Sequence, residues 1–74
     1  MMDARQFAQA IREADALEER HGPSAALSEI KGRAYLAVGK ADKALAEFTG
    51  GLGRAPRNVS LYLGAGEALL RQGD

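Results

Sequence analysis

The sequence has no cysteine, a single histidine and no long hydrophobic run. Without cysteine, the chain can form no disulfide, and it offers neither a nucleophilic thiol nor a thiolate ligand for a metal. No stretch approaches the roughly 18 apolar residues of a transmembrane helix, and the N-terminus lacks the basic-then-apolar pattern of a signal peptide. We therefore expect a soluble protein, cytoplasmic by default, that does not insert into membranes, although a preceding segment could carry an export signal.

The chain also lacks an excess of charge of either sign. Its 74 residues include 10 basic and 10 acidic side chains, so the net charge at pH 7 is zero with histidine neutral. Proteins that bind nucleic acid or an anionic membrane surface typically carry an excess of positive charge. The composition therefore predicts no nucleic-acid partner, and the length is that of one small domain.

The apolar residues that are present recur at the spacing of α-helices. One stripe is formed by Ala41, Ala44, Leu45, Phe48 and Leu52. A second stripe is formed by Leu27, Ile30, Ala34 and Val38. Residues three and four positions apart share one side of a helix, and no alternating run is long enough for a strand. The sequence predicts an all-α fold.

Glycine, proline and capping residues mark the ends of these helices. Gly22 ends the first helix, Gly39 ends the second, and Pro56 separates the third from the fourth. Ser24 and Asn58 are suitable N-caps for the helices that follow them. The predicted helices span residues 3–20, 25–38, 41–52 and 58–72. The chain should reverse at Gly39, so that the second and third helices are antiparallel neighbours.

The sequence repeats with a period of 34 residues. Residues 25–58 make one full period, and residues 59–74 begin to repeat it. Five identities relate the two segments: Leu27 and Leu61, Gly32 and Gly66, Ala34 and Ala68, Leu36 and Leu70, Gly39 and Gly73. A fixed period of this length is typical of stacked helical repeats.

Within this period the residues resemble the tetratricopeptide repeat, a helix-turn-helix unit. The matching small, aromatic and helix-ending positions are Gly32, Tyr35, Gly39, Ala44, Phe48 and Pro56. Residues 1–24 resemble the second helix of a preceding unit, and residues 59–74 resemble the first helix of a following one. The resemblance implies a single domain over residues 1–74, with 25–58 as the whole repeat, stacked as a short right-handed α-solenoid.

Glycines inside the predicted helices need an explanation, because each costs about 1 kcal/mol relative to alanine. Gly32 and Gly66 occupy equivalent positions of the repeat, and we interpret both as sites where a neighbouring helix approaches closely. Gly64 has no such explanation in the sequence. Phe48 lies at the centre of its apolar stripe, so we expect it to be buried near Tyr35 and Ala44.

Few residues could carry catalysis or bind a cofactor. His21, near the end of the first helix, is interpreted as a favourable group at a helix C-terminus. Glu18, Glu19 and Asp42 have basic neighbours, as on solvated helix faces. The glycine-rich stretch 50–54 lacks the preceding strand and the Gly-Lys-Ser/Thr ending of a phosphate loop, so we interpret it as a helix end. We expect no catalytic residue, no cofactor and no metal.

The resemblance instead implies a function in binding other proteins or peptides. In this family the first helix of each unit lines a concave groove. The corresponding residues here are Ala26, Glu29, Arg33, Leu36, Ala37, Ser60, Leu63, Glu67, Leu70 and Arg71. Some members hold a C-terminal carboxylate with one lysine and two asparagines, but Glu29, Arg33 and Gly64 occupy those positions here. A ligand of that kind is not expected, because Glu29 would repel it.

The alternative to a binding module is a structural role, in which the chain associates with other copies of itself. The opening helix of the chain resembles the second helix of a repeat unit whose first helix is missing. The last helix resembles the first helix of a unit whose second helix is missing. One copy's residues 59–72 could therefore pack on another copy's residues 3–20, head to tail, unless the ends pair symmetrically. We expect a homo-oligomer through the terminal helices, as a dimer, and a fragment of a longer array stays a further alternative.

Overall fold

A computed structural model describes residues 3–73, which form four α-helices and no strand. The helices are α1 (Ala4–His21), α2 (Ala25–Ala37), α3 (Ala41–Arg54) and α4 (Val59–Gln72). The all-α prediction is confirmed over these residues, and every helix begins within one residue of its predicted start. The predicted domain also includes Met1, Met2 and Asp74, which lie outside the described residues.

Local capping interactions set the helix starts. The Ser24 hydroxyl accepts a hydrogen bond from the backbone N–H of Leu27 at 3.1 Å, and Asn58 Oδ1 accepts one from Leu61 at 3.2 Å. Both predicted caps are confirmed. At α1 the cap is Asp3, whose carboxylate accepts from the backbone N–H of Arg5 at 3.0 Å. These side chains satisfy N–H groups that have no partner within the first turn of a helix.

Glycines with positive φ end the first two helices. Gly22 and Gly39 have φ angles of 83° and 81°, in the left-handed region that is least costly for glycine. The prediction that these two residues end α1 and α2 is confirmed.

The helix α3 ends at Arg54, two residues beyond its predicted end at Leu52, so the stretch 50–54 forms the end of the helix as interpreted. Gly51 is buried, and a Cβ there would lie 2.9 Å from the Ser28 Cβ and 3.1 Å from the Leu61 side chain. The glycine allows α3 to pack closely on α2 and α4. Tertiary packing therefore outweighs the low helix propensity of this stretch.

The core lies between α2, α3 and α4. Each helix packs on the next along the chain, and α2 also packs on α4. Phe48 of α3 and Leu61 of α4 are the largest fully buried side chains, in one cluster with Ala44. The predicted burial of Phe48 in one cluster with Ala44 is confirmed, and Tyr35 packs at the partly buried edge of this cluster. The right-handed solenoid implied by the resemblance stays a prediction.

Two glycines make room for the Phe48 ring. A Cβ at Gly32 of α2 would lie 2.7 Å from the ring, and a Cβ at Gly64 of α4 would lie closer still. The close approach predicted at Gly32 is confirmed, and Gly64 has the same explanation. At Gly66 no helix of the same copy approaches closely, contrary to the interpretation, because a Cβ there would meet nothing within 4 Å. In α4 the close approach occurs two residues earlier than the repeat indicates.

The apolar stripe predicted for α2 is only partly correct. Ile30 is 49% exposed, whereas Ser28 and Lys31 are buried. The reason is that α2 packs against three other helices, so its buried positions occur on more than one side. A single stripe describes a helix with one buried face, which α2 is not.

Candidate functional site

A cleft of about 170 Å³ opens between α2 and α4. It is lined by five of the residues predicted for the concave face: Arg33, Leu36, Ala37, Glu67 and Arg71. Arg33 and Glu67 occupy equivalent positions of the 34-residue period, and so do Ala37 and Arg71. The structure therefore brings together residues of α2 and α4 that are one period apart.

The other predicted residues lie outside this cleft. Ala26 is exposed near the start of α2, Glu29 is half-buried on the same helix, and Ser60 is half-buried at the start of α4. Leu63 and Leu70 are exposed on α4. The predicted surface is thus divided between the cleft and its surroundings.

The charged groups of the cleft are paired along their own helices. Arg71 Nη2 lies 2.9 Å from Glu67 Oε1, and Arg33 Nε lies 3.5 Å from Glu29 Oε1. Arg71 Nη1 also donates a hydrogen bond to the backbone carbonyl of Leu36 at 3.0 Å. This last bond joins α4 to the C-terminal end of α2, where the helix dipole favours a positive charge.

The cleft combines an apolar floor with hydrogen-bond donors. Leu36 is almost completely buried at its base, and Ala37 is exposed beside it. The side chain of Arg33 is about half exposed, and its guanidinium carries five N–H donors, so donors remain for a ligand. The site can therefore cover a small apolar group and donate hydrogen bonds to carbonyl or carboxylate oxygens beside it.

A second polar feature is the buried ammonium group of Lys31 in α2. Lys31 is only 6% exposed. Its Nζ lies 2.9 Å from Asp15 Oδ1, contacts Glu18 Oε1, and lies 3.1 Å from Glu47 Oε2 of α3. The side chain of α2 therefore connects α1 with α3. Glu18, interpreted above as part of a solvated face, is instead mostly buried against Lys31, because α1 packs its inner side on α2.

The charge of Lys31 is held by these carboxylates. Burial alone would lower the pKa of Lys31, but the hydrogen bonds that its ammonium group donates to Glu18, Asp15 and Glu47 outweigh this effect and raise the pKa above the ordinary value. A lysine that stays protonated is neither a nucleophile nor a general base at neutral pH. Lys31 is therefore a structural connection between helices.

Other candidate chemistry is sparse in the part of the chain that the structure describes. No group of three or more His, Asp or Glu side chains among residues 3–73 is arranged to hold a metal ion. His21 is exposed in the last turn of α1. None of the four described helices is long and apolar enough to cross a membrane.

The helix α4 also carries an exposed apolar face, which consists of Val59, Tyr62, Leu63, Gly66, Leu69 and Leu70. Its five large side chains are 55% to 76% exposed. Successive members are at most four residues apart and lie on one side of the helix. The opposite side is buried and contains Leu61, Gly64, Ala65 and Ala68. The α2–α4 cleft lies along one flank of this apolar face.

Comparison with known proteins identifies no relative: no family model, no curated protein and no solved structure matches the chain. The tetratricopeptide resemblance therefore depends on the residues of the repeat alone.

Proposed function

We propose that the chain is a protein-interaction module of tetratricopeptide type, without catalytic activity, that binds a protein or peptide on the face shared by α2 and α4. The cleft between these helices is the observation that carries this proposal. Its lining includes residues of α2 and α4 that are 34 positions apart, so the repeat itself builds the surface.

The size of the cleft favours a peptide over a small-molecule substrate. Pockets for small molecules typically have volumes of roughly 300–1,000 Å³, whereas this one has about 170 Å³. A peptide needs only enough space for one side chain, because the rest of it can lie across the surrounding surface. Its backbone carbonyls would accept hydrogen bonds from Arg33, and a small apolar side chain would cover Leu36 and Ala37.

Selection from a displayed library of random peptides tests this function. The unmodified chain should enrich a set of related sequences, and Arg33→Glu should weaken their binding by roughly tenfold or more. The control is Arg12→Glu, which makes the same charge change on an exposed residue of α1 and should bind as the unmodified chain does. Enrichment of no peptide, or equal binding by both variants, would contradict the proposal.

Self-association through the terminal helices is a second candidate function, favoured by the exposed apolar face of α4. Such a face is typical of surfaces that bind another protein. A following helix would cover the same face if the chain were part of a longer array. The head-to-tail form receives less support, because Leu17 is the only large hydrophobic residue of α1 that is exposed among residues 3–73. The outer surface of α1 is otherwise mostly polar.

A further inference from the structure

We propose that two copies of the chain associate through their α4 helices, packed antiparallel about a two-fold axis at Gly66. This arrangement depends on the self-association proposed above and specifies the helix, the orientation and the residue at the axis. The occupant of the apolar face is thus the same face of a second copy.

The helix α4 is apolar on two opposite sides. One side is buried in the core, and the apolar face defined above is exposed on the other. A helix that is apolar around most of its circumference is normally buried on all of those sides. Five of the seven large hydrophobic residues that are exposed among residues 3–73 belong to this face. The surface of the described chain therefore concentrates its unburied apolar area on α4.

The apolar face is symmetric about Gly66. Tyr62 and Leu63 precede Gly66 by four and three residues, and Leu69 and Leu70 follow it by three and four. If two α4 helices cross antiparallel at Gly66, Leu63 of each copy meets Leu69 of the other. Tyr62 of each copy likewise meets Leu70. A two-fold axis repeats every such contact, so each of these large side chains gains a partner.

Gly66 is suited to the position on the axis. A Cβ at this residue would meet nothing within 4 Å in a single copy, so packing inside one chain gives no reason for glycine. Glycine is nevertheless less favourable than alanine within a helix. The distance between two packed helices depends on the side chains at their contact, and glycine allows the closest approach. Pairing of copies at Gly66 would explain its presence.

The distribution of charge favours the antiparallel orientation. The apolar face contains no charged residue, so its burial takes no charged group of that face out of water. Arg57 is exposed just before α4 and would lie near the C-terminal end of the second copy's helix. The helix dipole favours a positive charge at that end. A parallel pair would bring like helix ends together.

The exposed area is sufficient for a reversible dimer. If each of the five large side chains contributes on the order of 100 Å² of apolar surface, two copies bury about 1,000 Å² in total. This is about the smallest area that is typical of a specific interface. We therefore expect association that depends on protein concentration.

Light scattering over a concentration series measures the state of the unmodified chain. The mass should rise from 7.8 kDa to twice that value and no further. Leu69→Glu should raise the dissociation constant by roughly tenfold or more, because it buries a charge in the contact. Ile30→Glu, a change at a comparably exposed residue of α2, should leave it unchanged.

Introduced cysteines locate the contact, because the natural chain has none. With oxidised glutathione as oxidant, Gly66→Cys should form a covalent dimer, whereas Ile30→Cys and Leu17→Cys should stay mostly monomeric. When the Val59→Cys and Gly73→Cys variants are mixed, a disulfide should join one copy of each variant. These two positions face each other only in the antiparallel pair.

The outcomes separate this arrangement from the functions proposed above. A chain that stays monomeric at high concentration overturns self-association as a whole. A mass that grows beyond two copies, or linkage through Leu17→Cys instead of Gly66→Cys, leaves self-association standing and overturns the two-fold pairing. Peptide binding at the α2–α4 cleft is measured independently, and Leu69→Glu should not change it.

Discussion

At the scale of single residues, the structure depends on one aromatic ring and the two glycines beside it. Phe48 is fully buried, and its ring fills the space that Gly32 and Gly64 leave on α2 and α4. Protein interiors are close-packed, so neither a smaller residue at the ring nor a larger one at the glycines can be accommodated without cost. The sequence predicted the burial of Phe48 from periodicity. It could not predict the role of Gly64, because that role depends on a ring from another helix.

Replacing Phe48 should destabilise the protein severely. We expect Phe48→Ala to lower the free energy of unfolding by about 3–5 kcal/mol, a large part of the roughly 5–15 kcal/mol typical of a domain. Thermal unfolding followed by circular dichroism measures the change. The adjacent Thr49→Ala, at an exposed residue, should have little effect. An unchanged melting temperature in Phe48→Ala would contradict the packing described here.

Alanine substitutions at Gly64 and Gly66 should have opposite effects. In Gly64→Ala the new methyl group overlaps the Phe48 ring, and such overpacking typically costs about 1–3 kcal/mol. In Gly66→Ala the methyl group enters open space, so the gain in helix propensity should stabilise a single copy by up to about 1 kcal/mol. Urea unfolding at low protein concentration gives both values. Destabilisation by both substitutions would show that Gly66 is packed within one copy.

At the scale of helices, α1 is attached differently from the others. Within residues 3–73 it packs on α2 alone, and Ala14 is its only buried residue. The ion pairs of Lys31 with Asp15 and Glu18 supplement this thin apolar contact. Lys31 belongs to neither of the apolar stripes identified in the sequence, so periodicity did not predict its burial. Which carboxylates meet it could not be read from the sequence, because they lie on two other helices.

Removal of the Lys31 charge should loosen α1. In Lys31→Met the carboxylates of Asp15, Glu18 and Glu47 lose their shared cation and repel one another. We expect a loss smaller than the roughly 3–5 kcal/mol of a fully buried pair, because Asp15 is about half exposed. Hydrogen exchange should accelerate in α1 more than in α3. Equal acceleration in both helices would contradict a local role.

The effect of Lys31→Met should also depend on pH. The folded state raises the pKa of Lys31 above its ordinary value of 10.5. The stabilisation by the charge is therefore fully present below about pH 10.5 and is lost only as pH rises from there through the higher folded pKa. The difference in the free energy of unfolding between Lys31→Met and the unmodified chain should therefore be constant between about pH 7 and pH 9. A difference that disappears within this range would contradict the raised pKa.

The helix boundaries were largely predictable, and the buried sides of the helices were less so. Caps such as Ser24 and Asn58 act within their own segment, so the sequence alone identifies them. Whether Ile30 or Lys31 faces inward depends on which helices surround α2. The close packing at Gly51 likewise depends on which side chains of α2 and α4 lie opposite it. The prediction and the structure therefore differ where contacts between helices, and not the local sequence, decide which side of a helix is buried.

At the scale of the whole molecule, the 34-residue period predicts the cleft better than it predicts the core. Positions one period apart, such as Arg33 and Glu67, come together between α2 and α4. The repeat wrongly pairs Gly32 with Gly66 in the core, where Gly64 has the corresponding role. The period relates the positions of α2 to those of α4, but the details of packing depend on the individual side chains. The cleft brings together five of the ten residues predicted for the concave face.

The central claim, that the face shared by α2 and α4 is the binding surface, can be tested by an NMR titration with a selected peptide. The backbone amide signals of Arg33, Ala37, Glu67 and Arg71 should shift with increasing peptide concentration, and they should saturate together. Signals from the outer side of α1, such as Arg12, should not move. Shifts confined to α1, or to the apolar face of α4 without the cleft, would contradict the claim.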